Sequence, residues 1–168
     1  MNFTSLANKR RSIRAYTDTS VSDNDLAAIL EAARTTPSAG NCQPWHIFVI
    51  RDAARRTEIV SAVSSQEFIA TAPVLLVICA DIPRVEQRYG ERGRNLYSIQ
   101  DTAAMIQNIL LCAADLNLGT CWIGAFDEAK LSEKLNLSPD MRPVAMIPVG
   151  HPAGEPGQRA QDRLCMGR

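Results

Sequence analysis

The sequence predicts a single domain of mixed helices and strands, and three observations favour the α+β fold class. The chain has 168 residues, which is enough to bury one hydrophobic core without disulfide or metal support. Residues 72–80 form a continuous apolar run that is typical of a strand covered on both faces. Residues 99–116 have the composition of a long apolar helix, and the order of helices and strands is too irregular for a doubly wound nucleotide-binding fold.

The first half of the chain contains three clear elements. A helix is predicted over Asp23–Arg34, because its apolar residues recur at helical spacing and Ser22 is a suitable N-cap. Pro37 lies where that helix is expected to have ended. A strand over Trp45–Ile50 and a second helix over Ala53–Val63 follow.

After the apolar strand at residues 72–80, the chain is first charged and then strongly apolar. Pro83–Asn95 is charged and contains two glycines, so we expect a loop or a short irregular helix. Ile99–Leu116 is apolar nearly all round, and a helix of that kind has to be buried on every face. It is therefore expected to be either a central helix or one that buries a face against a second subunit.

The last third of the chain is predicted to complete the sheet. Leu118–Phe126 is expected to contain a strand, and a short helix follows from about Asp127 to Leu135. Arg142–Gly150 is predicted as the final strand. The whole chain, residues 1–168, is thus expected to form one domain.

Charge and hydropathy exclude several classes of protein. The 18 basic and 18 acidic residues balance, which argues against nucleic acid or an anionic membrane surface as the main partner. There is no apolar run of about 18 residues and no apolar signal core at the N-terminus, so a cytoplasmic location is expected. Neither standard phosphate-loop motif is present.

The five cysteines are scattered and include no C-x-x-C pair. Structural zinc sites require two close pairs of ligands, and secreted frameworks usually have an even number of cysteines. We therefore expect reduced thiols, mostly buried, and no metal site. Cys42 and Cys121 lie in the two loops of greatest interest, where they are expected to line a site without acting as nucleophiles.

Two clusters of arginines are candidates for phosphate binding. The segment "NKRRSIRAY" contains Arg10, Arg11, Ser12 and Arg14, and "GQRAQDRL" contains Arg159 and Arg163. The planar guanidinium group matches phosphate oxygens in a bidentate geometry. Each cluster taken alone is also compatible with a solvated basic surface, although closely spaced arginines repel one another unless an anion lies between them.

The segment "TTPSAGNCQPWHIFVI" forms a polar corner before an apolar strand. Its turn residues predict close approach of the backbone to another group. Gln43 has two possible roles, a contact within the loop or a contact with a cofactor. Trp45 is expected to pack in the core, and His46 is expected to point outward without a catalytic role.

Four segments together resemble the nitroreductase family of FMN-dependent oxidoreductases in its short, single-domain form. They occur in order over nearly the whole chain: "RRSIRAY", "PSAGNCQPWHIFVI", "DTAAMIQNILLCAADLNLGTCWIGAF" and "PVGHPAGEPGQR". The first two are the specific motifs. The resemblance implies a central, mostly antiparallel sheet flanked by helices, a long buried central helix, and a homodimer with FMN at the subunit interface.

The resemblance also implies a set of cofactor-binding residues. The FMN phosphate and ribityl chain would be held by Arg10, Arg11, Ser12 and Arg14, with Arg159 and Arg163 as further phosphate ligands. The loop that lies against the flavin from the partner subunit would supply Pro37, Ser38, Ala39 and Asn41, with alanine at position 39 where relatives often carry a hydroxyl. Backbone N–H groups near flavin N5 would come from Trp122, Ile123 and Gly124, and Gln66 would touch the polar edge of the ring.

The implied reaction is hydride transfer from NAD(P)H through flavin N5 to a small acceptor, such as a nitroaromatic compound or a quinone, by a ping-pong mechanism. No catalytic side chain is needed, because the flavin performs the chemistry. Negative charge on the reduced flavin would be stabilised by Arg14 or by an arginine of the Arg88–Arg94 loop. In that loop Tyr89, Arg92 and Tyr97 would cover the substrate face, unless the segment is a mobile charged surface loop.

Two alternatives belong to other functional classes. One is a flavoprotein of the same fold with a different task, such as dehalogenation, substrate oxidation or remodelling of flavin. The other is a non-catalytic anion- or nucleotide-binding module, which would be colourless and indifferent to NAD(P)H.

Overall fold

The computed structural model describes residues 2–154, which fold around a four-stranded antiparallel sheet with strand order β1-β2-β4-β3. The strands are β1 (Trp45–Ile50), β2 (Val74–Asp81), β3 (Gly119–Thr120) and β4 (Met141–Gly150). The helices are α1 (Phe3–Lys9), α2 (Asp23–Arg34), α3 (Ala53–Val63), α4 (Phe68–Thr71), α5 (Ile82–Arg92), α6 (Ser98–Asp115) and α7 (Glu128–Lys134). A 3₁₀ turn covers Ala39–Asn41 and a π-helical turn covers Gly93–Tyr97.

Local capping explains where several helices begin. The Ser22 hydroxyl accepts the Asp25 N–H at 3.0 Å and begins α2, and the Asp52 carboxylate accepts the Arg55 N–H at 2.7 Å and begins α3. Each contact satisfies a backbone donor that has no partner within the helix. The predicted bounds of α2, β1 and α3 are confirmed.

Strand β2 lies in the middle of the sheet, paired with β1 on one side and with β4 on the other. Because successive side chains point to opposite faces, its residues enter two separate cores. Val74, Leu76 and Ile78 pack with α2 and α6, whereas Leu75, Val77 and Cys79 pack with α3, α4 and α7. The continuous apolar run is thereby explained, and the predicted α+β fold with an antiparallel sheet is confirmed.

The charged segment Pro83–Asn95 is more ordered than the predicted loop or short irregular helix. It belongs to the 11-residue helix α5, which is kinked at Gly90, and to the π-helical turn that leads into α6. Val85 is fully buried and fixes this helix to the domain. A Cβ on Gly93 would lie 2.5 Å from the Val85 carbonyl oxygen, so this glycine allows a close backbone approach rather than a loop.

Three further elements differ from the sequence-based expectation. Helices α1 and α4 were not predicted; α1 has seven residues and buries none of them, so the sequence carries no apolar stripe there. The expected strand in Leu118–Phe126 is reduced to β3, with one isolated bridge between Ile123 and Met146.

Helix α6 is central, and it packs against α2 and the sheet through Met105, Ile106 and Ile109. Ala104 and Gln107 remain exposed in the single chain, so the expectation of burial on every face is not met within one chain.

Among the helices of residues 2–154, none is long and apolar enough to cross a membrane. The same residues contain no cluster of three potential metal ligands.

Candidate functional site

A cleft of about 260 Å³ lies where the C-terminal end of α6 meets β3. It combines basic, hydroxyl and apolar side chains. Its lining residues are Lys9, Arg10, Arg11, Ile13, Ala114, Asn117, Leu118, Thr120 and Pro152. Arg10 and Arg11 of the first arginine cluster are therefore brought next to Asn117, Leu118 and Thr120, which follow the long helix.

The arginine segment is held against the sheet edge by backbone hydrogen bonds. Ile13 donates its N–H to the Thr120 carbonyl at 2.8 Å, and Thr17 donates to the His151 carbonyl at 2.9 Å. Gly119 makes this approach possible, because a Cβ there would lie 2.8 Å from Ile13 side-chain atoms. The backbone that follows Arg10 and Arg11 is thus held beside Thr120.

The cleft has a strongly cationic lining. Lys9, Arg10 and Arg11 contribute three positive charges, and none of the lining residues in the range 2–154 is a carboxylate. Lys9 Nζ donates to Asn117 Oδ1 at 2.7 Å, and Arg11 Nη1 donates to the carbonyl oxygens of Asn8 and Arg10. Neither Arg11 nor Arg14 forms an ion pair with any residue in the range 2–154. The lining suits an anion such as a phosphate group.

Ser12 and Arg14 lie beside the buried Cys121 thiol. Burial raises the pKa of Cys121, while the charge of Arg14 and a hydrogen bond with Ser12 lower it in part. Burial also raises the pKa of Tyr16, whose hydroxyl donates to the Ile13 carbonyl at 2.7 Å. Both groups are protonated at neutral pH, so Cys121 is not an activated nucleophile, and it is not among the described residues that line the cleft.

The segment Trp122–Gly124 leaves two backbone N–H groups available. Ile123 exchanges both of its backbone hydrogen bonds with Met146, each at 3.0 Å, so its N–H is already used within the sheet. The N–H groups of Trp122 and Gly124 donate to no other residue that the structure describes. Trp122 is 41% exposed, and a Cβ on Gly124 would have no atom within 4 Å.

Gln66 lies in the loop between α3 and α4, at the same side of the domain as Trp122–Gly124. The chain just before it is joined to the N-cap residue of α7, three positions after Gly124, because Asp127 donates its N–H to the Val63 carbonyl at 2.8 Å. The Gln66 N–H donates to Ser64 Oγ at 3.1 Å. The side chain is half-buried.

The loop from Pro37 to Gln43, which we call the Ser38 loop, is fixed by polar contacts. Asp101 of α6 accepts the Ala39 N–H, and Arg88 of α5 donates to the Gly40 carbonyl at 2.9 Å. The Gln43 N–H donates to Ser38 Oγ at 2.8 Å, and its side-chain amide donates to the Arg34 carbonyl at 3.2 Å. Of the two possible roles of Gln43, the structure therefore supports the contact within the protein.

The kinked end of α5 places aromatic rings next to the Ser38 loop. Tyr89 and Tyr97 meet edge to face with ring centroids 5.2 Å apart, and Arg92 Nε donates to Tyr97 Oη at 2.9 Å. Arg94 is paired with both carboxylate oxygens of Glu86 at 2.7 Å. Of the arginines in the Arg88–Arg94 segment, Arg94 is thus already neutralised.

The candidate residues fall into two groups at opposite sides of one chain. The Ser38 loop leads into β1 at one edge of the sheet, whereas the cleft and Trp122–Gly124 lie at β3, the other edge. Three strand spacings separate those edges, about 14 Å. Along α6, Asp101 and Ala114 are separated by about 20 Å. Within residues 2–154, one chain does not join the two groups, and Arg159 and Arg163 lie outside the described residues.

Three polar residues that line the cleft were not predicted from the sequence: Lys9, Asn117 and Thr120. Lys9 directly precedes the arginines in "NKRR", so the basic run itself carried that signal. Asn117 has φ of 61° in the turn that ends α6, and Asn is one of the few residues that adopt this conformation readily. Thr120 becomes recognisable only through its pairing with Ser12.

Comparison with known proteins assigns the chain to a family. The nitroreductase family model matches residues 7–66 and 56–151. The oxygen-insensitive NADPH nitroreductase of Salmonella typhimurium is 35% identical over 153 residues, which cover 87% of this chain and 64% of that protein. The FMN reductase (NAD(P)H) of Bacillus subtilis is 33% identical over 156 residues, which cover 85% of this chain and 63% of that protein.

Solved structures agree with the sequence matches. The crystal structure of a nitroreductase family protein from Clostridium difficile superposes with a TM-score of 0.84 at 29% identity, covering 94% of this chain and 88% of that chain. The sequence-based resemblance is thereby confirmed, and the chain belongs to the nitroreductase family.

Proposed function

We propose that this protein is an FMN-dependent oxidoreductase that takes hydride from NAD(P)H and reduces a small acceptor. Its family membership and the activities of its relatives support this assignment, since those relatives include an NADPH nitroreductase and an FMN reductase. The predicted cofactors, FMN and NAD(P)H, and the predicted enzyme class have the same support.

The observation that carries the proposal is the charge of the cleft at β3. Three cations line it, no carboxylate of the described part of the chain does so, and the Ser12 hydroxyl lies next to them in the chain. A phosphate monoester is doubly charged near neutral pH and accepts several charge-assisted hydrogen bonds. The residues present therefore fit the phosphate end of FMN, which Arg10, Arg11, Ser12 and Arg14 would hold.

The N–H groups of Trp122 and Gly124 would hold the ring. They are available at the same sheet edge, whereas the Ile123 N–H is used by Met146. We therefore assign the backbone contacts with the polar ring atoms to Trp122 and Gly124, and leave Ile123 as the residue that fixes this segment to β4. When bound, FMN supplies hydride transfer in two half-reactions that form a ping-pong cycle.

The Ser38 loop would complete the site from a second chain. In its own chain it lies at the opposite sheet edge from the cleft, so a contact with the same ring requires a partner. A homodimer provides two equivalent sites by symmetry. The exposed Ala104 and Gln107 on α6 leave part of this central helix available to a partner.

The proposed acceptor is a flat, conjugated molecule such as a quinone or a nitroaromatic compound. Tyr89 and Tyr97 provide aromatic surface beside the Ser38 loop, and aromatic rings prefer edge-to-face or offset contacts with other flat systems. This surface would lie on the side of the ring that the acceptor approaches.

The direct test is the visible absorption spectrum of the purified protein, followed by anaerobic addition of NADH and then NADPH. We expect a flavin spectrum that bleaches with at least one of them. A flavin spectrum that stays oxidised with both would move the assignment to another flavin chemistry. If the protein contains no flavin and does not bind added FMN, the proposed function is wrong.

A further inference from the structure

The Ser38 loop has a backbone conformation that its own sequence does not favour. Gly40, Asn41 and Gln43 have φ of 55°, 57° and 48°. The left-handed region is unfavourable for a residue other than glycine, and asparagine tolerates it better than glutamine does. A loop with two such residues, Asn41 and Gln43, needs contacts from outside to remain in one conformation.

Two charged side chains from neighbouring helices provide those contacts. Asp101 accepts the Ala39 N–H with Oδ1 at 3.2 Å and Oδ2 at 3.1 Å, and Arg88 donates to the Gly40 carbonyl at 2.9 Å. The two contacts hold consecutive residues of the loop, one through its donor and one through its acceptor. Packing at Gly40 is tight, because a Cβ there would lie 2.5 Å from Tyr89 Oη.

Asp101 is an unusual residue for a purely structural role. It is only 8% exposed, and it forms no ion pair with any residue in the range 2–154. Burying a carboxylate without a cation is costly, and burial raises the pKa of Asp101. An acid in the first turn of a helix complements the helix dipole, but that effect does not require burial or the contact with Ala39.

We propose that Asp101 is a positioning residue that, together with Arg88, holds the Ser38 loop in the conformation needed to contact the flavin. This inference rests on the proposed function. The side chain of Asn41 is exposed and bonds to no other described residue. The contacts from Asp101 and Arg88 therefore leave this amide available for the cofactor. Asp101 itself acts only through the loop, and it does not touch the ring.

The test compares FMN binding by three variants of the full-length protein with that of the wild type. Asp101→Leu removes both acceptor oxygens and leaves a branched apolar side chain, whereas Asp101→Asn keeps one acceptor oxygen. Arg88→Met removes the hydrogen bond to the Gly40 carbonyl. It changes an exposed side chain, so this variant is expected to fold. Arg142→Met is the matched control, because Arg142 is exposed and pairs with Glu128 away from the loop.

We expect Asp101→Leu to raise the Kd for FMN roughly tenfold or more, because it leaves the Ala39 N–H unsatisfied. Arg88→Met is expected to raise the Kd by about threefold to tenfold. Asp101→Asn and Arg142→Met are expected to stay within about threefold of the wild type. Circular dichroism of the bound flavin in the visible region reports its surroundings, and it should change in Asp101→Leu and Arg88→Met only.

The outcomes separate this inference from the proposed function. If the wild type binds no FMN, the proposed function has failed. If Asp101→Leu and Arg88→Met both bind FMN as tightly as the wild type does, the contacts of Asp101 and Arg88 with the Ser38 loop are not needed and the inference is wrong. Equal losses in Asp101→Asn and Asp101→Leu would also contradict it, because the asparagine oxygen can still accept the Ala39 N–H. If Asp101→Leu does not fold, Arg88→Met decides.

Discussion

The buried carboxylate of Asp101 accepts the backbone N–H of Ala39 with both of its oxygens, at 3.2 and 3.1 Å. The contact joins the start of α6 to the Ser38 loop. Burial raises the pKa of Asp101, and the Ala39 N–H lowers it only in part. Ionisation of this buried side chain therefore lowers the free energy of unfolding.

This relationship gives an expectation for stability as a function of pH. An unfolded aspartate has a pKa of about 3.9, so between that pH and the higher pKa of the folded state the folded chain binds more protons. The free energy of unfolding therefore decreases as pH rises through this interval. Asp101→Asn cannot ionise and should not show this decrease.

The measurement is urea-induced unfolding of the wild type and of Asp101→Asn at several pH values between about 4 and 7. The difference in free energy of unfolding, variant minus wild type, should increase with pH and then level off. A difference that is independent of pH, or that decreases as pH rises, would mean that the carboxyl does not carry a raised pKa.

Removing Arg11 or Arg14 should weaken the binding of FMN but not of riboflavin. Arg11→Ala and Arg14→Ala each remove a cation that would contact the phosphate, and roughly a tenfold loss or more is expected for FMN. Riboflavin lacks the phosphate, so its affinity should change little. Fluorescence titration of the two flavins measures both values, with Arg142→Ala as the control. Equal losses for both flavins would place the phosphate elsewhere.

Adding one methyl group at Gly119 should disturb the arginine segment. A Cβ there would lie 2.8 Å from the Cβ, Cγ1 and Cγ2 atoms of Ile13, and such overpacking typically costs about 1–3 kcal/mol. At Gly124 no atom lies within 4 Å of an added Cβ, so Gly124→Ala should change the free energy of unfolding by less than about 0.5 kcal/mol. Urea unfolding of both variants tests this contrast, and equal effects would contradict the packing described here.

Elements with strong local signals could be predicted from the sequence. Helix α2 has an N-cap and an apolar stripe within its own residues, and the bounds of α2, β1 and α3 were predicted correctly. The α5 segment could not be predicted, because Gly90 and Gly93 resemble loop residues locally. The packing of Val85 and the close approach at Gly93 depend on tertiary structure.

The candidate site could be predicted only in part, for a similar reason. The arginine segment and Trp122–Gly124 stand out in the sequence and do lie at one sheet edge. Asp101 was missed, because an acid in the first turn of a helix has an ordinary explanation in the helix dipole. The distance between the two groups of residues is likewise invisible in a linear sequence, since it follows from the strand order.

The central claim is that one flavin site is assembled from two chains. It can be tested by co-expressing two differently tagged variants and purifying the mixed dimer. One variant carries Arg11→Ala and Arg14→Ala in the arginine segment, and the other carries Asn41→Leu in the Ser38 loop. Each variant alone should lose bound flavin.

If each flavin site is built from two chains, one site of the mixed dimer carries the substitutions of both variants. The other site carries none of them. We therefore expect the mixed dimer to regain about one FMN for every two chains, measured by its flavin absorbance. A mixed dimer that stays colourless while the wild type binds FMN would mean that each site is built within one chain. That result would contradict a flavin site shared between two subunits.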